Sequence, residues 1–408
     1  MKQSLSKARV LQPQKFDFVL SIIIFSIFIS SILALYAAVP LVPSYLSPDT
    51  VIIKQIAFFL AGVAVIASIM YFGNENLFTL VRLGYFILLG ALVYLFISAM
   101  LVRFNIQALS FAKPINGAVS WFQFPLIGTF QPSEFMKVIL VLLVATIIHD
   151  HNENKSEDSF ESDIHLFRKV LTWASLPLLL ILFQPDTGIF LIIVASLSMM
   201  IICSGIRKEW IIAIAILLFG LLLIFVVAFY FFPNSFNDFF TDGQDYKVGR
   251  IYGWLYPEES AKKEGMQLYN SLLGMGSAGF QGYPIGSSVI DIPEAHTDFI
   301  FSVIGIYYGF MGTSIILILC FALNARLFTI ARRSKNTRDK LILIGFISIL
   351  VVQQVENIGM TIGLFPITGI TLPLISAGGS SLLSYMIMIG MAMNISLRAK
   401  KLSDFVYE

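Results

Sequence analysis

Residues 170–204 read VLTWASLPLLLILFQPDTGIFLIIVASLSMMIICS, two short apolar runs on either side of the polar turn QPDTG. Pro185 breaks a helix, and Gly188 relaxes the turn that follows it. The two runs, 170–184 and 187–204, are therefore either two helices or one kinked element. This choice decides how many spans the fold contains.

The composition of the whole chain is that of an integral membrane protein. Of its 408 residues, 57% are hydrophobic and 13% are charged, and the mean hydropathy is +0.83. These values are far from those of an average soluble domain. A bilayer core needs about 20 apolar residues per helix. Ten such runs are present, near 17–39, 51–72, 79–102, 131–149, 170–184, 187–204, 210–232, 298–323, 341–364 and 374–397.

The distribution of basic residues favours ten spans over nine. With ten spans and the N-terminus inside, most lysines and arginines fall in inner segments, including the run from Arg326 to Lys340. Nine spans would place one basic cluster outside, against the positive-inside rule. The sequence therefore predicts an all-α, polytopic integral membrane protein with ten transmembrane helices, N- and C-termini both cytoplasmic, and a large extracytoplasmic loop between helices 7 and 8. The first run follows a basic stretch, and we interpret it as an uncleaved anchor.

Unequal loops indicate where a site is built, because long loops over a rigid scaffold commonly carry function. We predict a single domain over 1–408 with two long outer loops, 103–130 and 233–297, and an acidic inner loop, 149–169, interpreted as a solvated linker. The net charge of +2 indicates no nucleic-acid surface. Cys203 and Cys320 indicate no disulfide.

The stretch IPEAHTDFIF, residues 292–301, places Glu294, His296 and Asp298 at the outer start of the eighth run. One interpretation is helix capping, with Thr297 or Asp298 accepting the free amide hydrogens of the first turn. The other is catalysis, because a carboxylate beside other titratable groups at the edge of a low-dielectric region can have the pKa of a working base. The crowding of ionisable groups favours the second.

A second group, Glu134 and Lys137, lies in QPSEFMK at the start of the fourth run. Their spacing of three makes an ion pair available on one helix face. Charges at membrane depth commonly face a cavity or a partner, so we expect a function: Lys137 can hold a phosphate that Glu134 orients. In QPDTG, Asp186 is either a turn residue or a ligand contact.

Three further residues are less specific. Trp121 suits stacking on a sugar and Arg250 suits binding a diphosphate, although an interfacial tryptophan is common in membrane proteins. Glu356, inside the ninth run, is interpreted as a buried carboxylate satisfied by neighbouring helices.

Seven motifs occur in order along most of the chain: NGAVSWF, QPSEFMK, QPDTG, GRIYGWLYPEE, PEAHTDFIF, NIGM and LPLISAGGSS. In this series the chain resembles the SEDS polytopic proteins (shape, elongation, division and sporulation), of the RodA, FtsW and SpoVE kind.

The resemblance implies an inverting peptidoglycan glycosyltransferase of the bacterial cell membrane. Such an enzyme polymerises lipid II into glycan strands at the outer leaflet and releases undecaprenyl diphosphate. Asp298 matches the essential outer-loop aspartate of the family, Trp121 its loop tryptophan, and Glu134 with Lys137 its QPSE motif. The family works with a class B penicillin-binding protein, a single-span transpeptidase.

Four positions depart from the family pattern. Ala377 replaces a tyrosine in SYGGSS, Ile306 and Tyr307 replace an acidic pair, and Val248 stands where an arginine is often found. The proposed base is unaffected by these departures.

The chemistry of the implied reaction assigns the residues to roles. Attack of a sugar hydroxyl on an anomeric carbon needs a base, Asp298, and stabilisation of the leaving diphosphate. Lys137, Arg250, helix N-termini or a divalent cation (Mg²⁺ or Mn²⁺) can supply that stabilisation. We expect Trp121, Glu134, Lys137, Asp186, Arg250, His296 and Thr297 to bind substrate; metal ligands are not assigned. Two alternatives stay open: a transporter or flippase of a lipid-linked precursor, with Glu356 and Asp186 lining a membrane-crossing cavity, and a non-catalytic scaffold.

Overall fold

The computed structural model describes residues 16–41, 48–115, 117–124, 128–155, 159–231, 245–287 and 290–404. These residues are almost entirely helical, with one short β-hairpin. The helices are α1 Phe18–Ala38, α2 Pro48–Phe72, α3 Asn74–Arg103, α4 Pro132–Glu153, α5 Phe160–Phe183, α6 Thr187–Ile202, α7 Lys208–Phe231, α8 Asp245–Leu255, α9 Met266–Ser277, α10 Ile300–Arg333, α11 Thr337–Thr361 and α12 Gly379–Asp404. The hairpin pairs β1, Phe122–Phe124, with β2, Gly128–Phe130, in antiparallel register.

The helices are those of a multi-pass membrane protein. Among the described residues, eight helices are long and apolar enough to cross a membrane, and α6, with 16 residues, is a shorter apolar helix. Each predicted apolar run overlaps one of the helices α1–α7 and α10–α12.

The QPDTG turn separates two helices and does not kink one. α5 ends at Phe183 and α6 begins at Thr187. Asp186 is the N-cap of α6, and its Oδ1 accepts a hydrogen bond from the amide of Ile189 at 3.4 Å. The turn interpretation of Asp186 is therefore confirmed.

Segment 149–169, predicted to be a solvated inner linker, is helical over most of its length. Residues 149–153 belong to α4 and residues 160–169 belong to α5, so the connection is short. The reason is local: Ser159 caps α5 by accepting from the amide of Ser162, and Glu161 and Asp163 complement the positive end of the helix dipole. The acidic residues start a helix and do not keep the chain solvated and irregular.

The centre of the bundle is formed by α4 and α12. In each of these two helices, 72% of the most apolar 18-residue stretch is buried, whereas the corresponding share is 28–33% in α1, α2, α3 and α5. The latter helices expose large apolar side chains such as Ile22, Leu60 and Phe86. A helix that is apolar on its exposed face is typical of a lipid-facing span.

α10 is broken at Gly309, whose φ of 61° and ψ of −156° are not helical. The segment 278–283 fills the break, with the amide of Phe310 donating to the carbonyl of Gly279 and the amide of Tyr283 donating to the carbonyl of Ile306. A Cβ on Gly309 would lie 2.5 Å from backbone atoms of Phe280 and Gly282, so only glycine fits. The segment 278–283 thus fixes the short part of α10 that precedes Gly309.

Two of the departures from the family pattern contribute to this packing. Ile306 is 1% exposed and lies over Gly274 of α9, where a Cβ would meet its Cδ1 at 2.7 Å. Tyr307 donates its hydroxyl to the carbonyl of Ser287 at 3.2 Å. An apolar contact and a hydrogen bond therefore hold this part of α10, where the family pattern has an acidic pair. The side chain of Val248 lies outside the described residues.

Candidate active site

The residues around Asp298 are held against the 362–378 segment, the connection between α11 and α12. Asn357 of α11 donates both hydrogens of its amide, one to the carbonyl of Asp298 and one to the carbonyl of Ile370, each at 2.7 Å. The hydroxyl of Ser376 donates to the carbonyl of Thr297 at 2.7 Å, and the amide of Ala377 donates to the carbonyl of His296 at 3.0 Å. Three of these hydrogen bonds thus position the backbone that carries the carboxylate, and the fourth ties the same asparagine to the 362–378 segment.

The Asp298 side chain does not cap α10. The N-cap is Phe299, which makes no side-chain capping hydrogen bond. The Asp298 carboxylate is half-buried and faces Gly369, where a Cβ would lie 3.3 Å from Oδ2. The capping interpretation is therefore wrong for Asp298. Its carboxylate lies beside the exposed Gly369, and the space next to this glycine is called the cleft below.

Arg250 reaches the same cleft from α8. A Cβ on Gly369 would lie 4.0 Å from its Nη2. α8 is docked one turn further on by Trp254, which donates its indole Nε1–H to the carbonyl of Gly363 at 2.9 Å. Because residues four apart share a helix face, this hydrogen bond directs Arg250 toward Asp298.

The pKa of the Asp298 carboxyl is raised to about 7. The main cause is burial, which disfavours the charged form; the neighbouring Glu294 charge raises the pKa further, and Arg250 opposes both. A carboxyl that titrates near neutral pH has the proton affinity of a general base.

Glu294 is held next to Asp298 by a left-handed backbone. Its φ is 56°, a conformation that costs about 1 kcal/mol or more in a residue other than glycine. The hydroxyl of Thr297 donates to its Oε2 at 2.9 Å. His296 is 8% exposed, and its Nδ1 has no hydrogen-bond partner among the described residues. Burial lowers the pKa of His296, and the nearby Glu294 charge opposes this shift.

Glu356 belongs to this site and is not a remote buried carboxylate. It accepts a hydrogen bond from the hydroxyl of Thr368, and it lies close enough to Asp298 for the two carboxyl groups to interact electrostatically. Its Oε2 has no hydrogen-bond partner among the described residues. The interpretation of a carboxylate satisfied by neighbouring helices is therefore only half right.

The second predicted group forms a closed cluster inside the bundle. Lys137 Nζ lies 2.5 Å from Glu134 Oε2, and the Lys137 side chain is fully buried. The ammonium also lies 3.4 Å from the hydroxyl of Tyr385 and 4.4 Å from the centre of its ring. Gln353 accepts from that hydroxyl at 2.9 Å. The predicted ion pair is confirmed, but its ammonium does not reach solvent.

A chain of hydrogen bonds links Trp121 to Asp186 next to this cluster. The indole Nε1–H donates to Gln131 Oε1 at 3.0 Å, and Gln131 Nε2 donates to Asp186 Oδ2 at 2.7 Å. Ser133 donates to the same oxygen at 3.0 Å. Burial and the nearby charge of Glu134 raise the pKa of Asp186 to about 6.

The predicted site residues thus form two groups. Asp298, Arg250, Thr297 and His296 lie around the cleft, whereas Trp121 and Asp186 share a hydrogen-bond chain beside the Glu134–Lys137 ion pair. The 362–378 segment contacts both, since Ile370 packs on Gly188 of the QPDTG turn. Sequence reasoning missed Asn357 as an anchor, Gly369 as the cleft floor, and the neutral partners of Lys137. The motif NIGM contained a signal for the first, because a buried amide in a span needs partners.

A metal site is not formed by protein side chains alone in the described part of the chain. There, no group of three or more His, Cys, Asp or Glu residues lies together. The carboxylates of Asp298 and Glu294 are nevertheless oxygen ligands of the kind that Mg²⁺ takes together with substrate phosphates.

These features define the class: a multi-pass helical membrane protein in which helix ends and one connecting segment enclose a carboxylate and a guanidinium. The family model for FtsW, RodA and SpoVE, described as a cell cycle protein, matches residues 15–401, and the chain belongs to this family.

Individual relatives agree with the family. The chain is 32% identical to the probable peptidoglycan glycosyltransferase FtsW of Lactococcus lactis subsp. lactis, over 87% of this chain and 86% of that protein. It is 31% identical to stage V sporulation protein E of Bacillus subtilis, over 69% and 72% of the two chains. A solved structure described as "Structural coordination of polymerization and crosslinking by a peptidoglycan synthase complex" aligns with a TM-score of 0.70 and 27% identity, over 94% of this chain and 98% of that one.

Proposed function

We propose that this protein is a peptidoglycan glycosyltransferase that polymerises lipid II into glycan strands and releases undecaprenyl diphosphate, in elongation, division or sporulation. The observation that carries the proposal is the half-buried Asp298 carboxylate, which faces the same exposed point as the Arg250 guanidinium. The FtsW relative named a probable peptidoglycan glycosyltransferase supports the assignment.

The cleft suits an inverting displacement at the anomeric carbon. Asp298 takes the proton from the acceptor hydroxyl while that oxygen forms its bond to the anomeric carbon. The bond from this carbon to the diphosphate oxygen breaks, and its electron pair leaves with the diphosphate. Arg250 stabilises the developing negative charge by charge-assisted hydrogen bonds. A divalent cation bound by Asp298 and Glu294 would supply further charge stabilisation to the diphosphate.

The remaining predicted substrate-binding residues keep that role as proposals, with a distinction between them. Trp121 is half-buried and can stack on a sugar ring. Lys137 is enclosed by Glu134 and Tyr385, which favours an indirect contribution in which it holds α4 against α11 and α12.

The reaction requires the cleft to face outward. We propose ten transmembrane helices with both termini cytoplasmic, in the cell membrane of a bacterium. In this topology the N-terminal ends of α4, α6, α10 and α12 lie on the extracytoplasmic side. The excess of basic residues in the opposite segments supports this orientation.

We further propose a class B penicillin-binding protein as partner. The similar solved structure is described as coordinating polymerisation and crosslinking in a synthase complex, which supports a pairing of a polymerase with a transpeptidase. Assays of this chain should therefore be run with such a partner present.

The direct test is polymerisation of purified lipid II in liposomes by the wild type and by Asp298→Asn. Loss of the base should lower the rate roughly 100- to 10,000-fold. The matched control is Asp291→Asn, an exposed carboxylate in the same loop, which should retain the wild-type rate. Undiminished synthesis by Asp298→Asn would remove Asp298 from the role of base.

Transport of a lipid-linked precursor has less support. It required Glu356 and Asp186 to line a membrane-crossing cavity. Glu356 instead binds Thr368 beside the cleft, and Asp186 is bonded to Gln131 and Ser133. Both carboxylates thus belong to the same end of the bundle as Asp298.

A further inference from the structure

Gly369 presents a bare Cα between the two charged groups of the cleft. A Cβ placed there would lie 3.3 Å from Asp298 Oδ2 and 4.0 Å from Arg250 Nη2. Among the described residues, no other heavy atom outside its two chain neighbours comes within 4 Å of that point. Gly369 is also exposed. The carboxylate and the guanidinium therefore face one point that is accessible from outside the protein.

The surrounding structure holds this point in place. Ile370, the next residue, packs its side chain on Gly188, and its carbonyl accepts a hydrogen bond from the side-chain amide of Asn357. The same amide binds the carbonyl of Asp298 at 2.7 Å. One side chain thus sets the separation between the segment that carries Gly369 and the segment that carries Asp298.

The chemistry of the two groups defines what can occupy the space over Gly369. A carboxylate accepts a proton from a hydroxyl, and a guanidinium binds phosphate oxygens. In the proposed reaction, the hydroxyl and the diphosphate come together at one carbon, where the hydroxyl oxygen replaces the diphosphate. A methyl group at this point would displace the reacting atoms, whose approach must be correct to within about 1 Å.

We propose that the reacting centre lies directly over the Cα of Gly369, and that Gly369 is a specificity-determining position that admits the acceptor hydroxyl next to Asp298 and the donor diphosphate next to Arg250. This inference rests on the proposed glycosyltransferase function and adds to it the location of the reaction.

The obvious variant, Gly369→Ala, needs a control for backbone strain, because the φ of Gly369 is +78°. Gly205, in the turn between α6 and α7, provides it. Its φ is +88°, it is exposed, and a Cβ there would meet no atom within 4 Å in the described structure. Gly205→Ala therefore imposes a similar backbone strain far from the cleft.

The experiment measures lipid II polymerisation by the full-length wild type, Gly369→Ala and Gly205→Ala in liposomes with a partner transpeptidase, together with each melting temperature. We expect similar losses in melting temperature for the two variants. We expect kcat/KM to fall roughly 10- to 100-fold for Gly369→Ala, as a 1 Å displacement would cause, and to stay within about twofold for Gly205→Ala. If an alanine variant is not recovered folded, Gly369→Asn and Gly205→Asn replace the pair, because asparagine adopts positive φ more readily.

The outcomes separate the two levels of the argument. Equal activity of the Gly369 and Gly205 variants, with an active wild type, would overturn the placement of the reacting centre and leave the proposed function standing. A wild type that forms no glycan strands from lipid II would overturn the proposed function and this inference with it. A selective loss in the Gly369 variant supports both.

Discussion

The two candidate groups each combine a carboxylate with a cation, and they differ in enclosure. Glu134 and Lys137 meet at 2.5 Å inside the bundle, where Tyr385 and Gln353 surround the ammonium. Asp298 and Arg250 lie at an exposed glycine in a cleft. In the first pair each charge is compensated by its close partner. In the second, burial raises the pKa of the Asp298 carboxyl.

This difference separates a structural role from a catalytic one. A buried pair with short contacts is closed to ligands, and its disruption leaves an uncompensated charge in a low-dielectric interior. A partly buried carboxylate whose backbone is held by hydrogen bonds can accept a proton from a ligand. The side chains of Asn357 and Ser376 hold the backbone of the Asp298 segment by hydrogen bonds.

The largest effect on stability should come from breaking the enclosed pair. Lys137→Met leaves the buried Glu134 without its partner, so the free energy of unfolding in detergent should fall by about 3–5 kcal/mol. The double variant Glu134→Gln with Lys137→Met removes both charges and should recover most of that loss. Arg250→Gln, at the cleft, should cost less than about 1 kcal/mol because Arg250 is only partly buried.

These unfolding measurements would contradict the comparison if Lys137→Met and Arg250→Gln were equally destabilising. They would also contradict it if the double variant were no more stable than Lys137→Met alone.

A smaller effect is expected from the anchor of the cleft. Asn357→Leu removes two hydrogen bonds from buried carbonyls and should cost about 1–3 kcal/mol of stability. Asn394→Leu is the matched control, because Asn394 is buried and donates to the carbonyl of Ile69 and to Asn74 at the other end of the bundle. Polymerisation rates per folded molecule should fall roughly tenfold or more for Asn357→Leu only, since misplacement of the base is costly. Equal rates for the two variants would assign Asn357 a purely structural role.

The smallest effect concerns the charge next to the base. Glu294→Gln removes a negative neighbour that raises the Asp298 pKa. The midpoint of the acidic limb of kcat/KM should therefore move to lower pH, by less than about one unit, because burial is the larger cause. An unchanged midpoint would show that Glu294 does not act on the base.

The sequence predicted the helices well and the site in part, for physical reasons. Apolar runs of membrane length leave little choice of secondary structure, and each overlaps a helix. Asp298 was conspicuous because ionisable groups crowd beside an apolar run. The partners of Asp298 were not predictable, because Gly369 and Asn357 lie about 60–70 positions further along in an apolar stretch, and only tertiary contacts bring them to the cleft.

The enclosure of Lys137 shows the same limit. Its spacing from Glu134 predicted the ion pair, which is a property of one helix. Its contacts with Tyr385 and Gln353 come from α12 and α11, and no local pattern identifies them. The prediction of a solvated linker at 149–169 was wrong for a local reason. The acidic composition suggested a linker, whereas Ser159 is a capping residue that starts α5.

The central claim is that Asp298 accepts the proton from the acceptor hydroxyl with a pKa near neutrality. The most direct measurement is the pH dependence of kcat/KM for lipid II polymerisation by the wild type with its partner transpeptidase, over the range in which the protein stays folded. Since the base must be deprotonated and burial raises the pKa of Asp298 to about 7, activity should fall as the pH drops through that value. A profile that stays flat well below pH 7, down to the ordinary carboxyl range near 4, would contradict the claim.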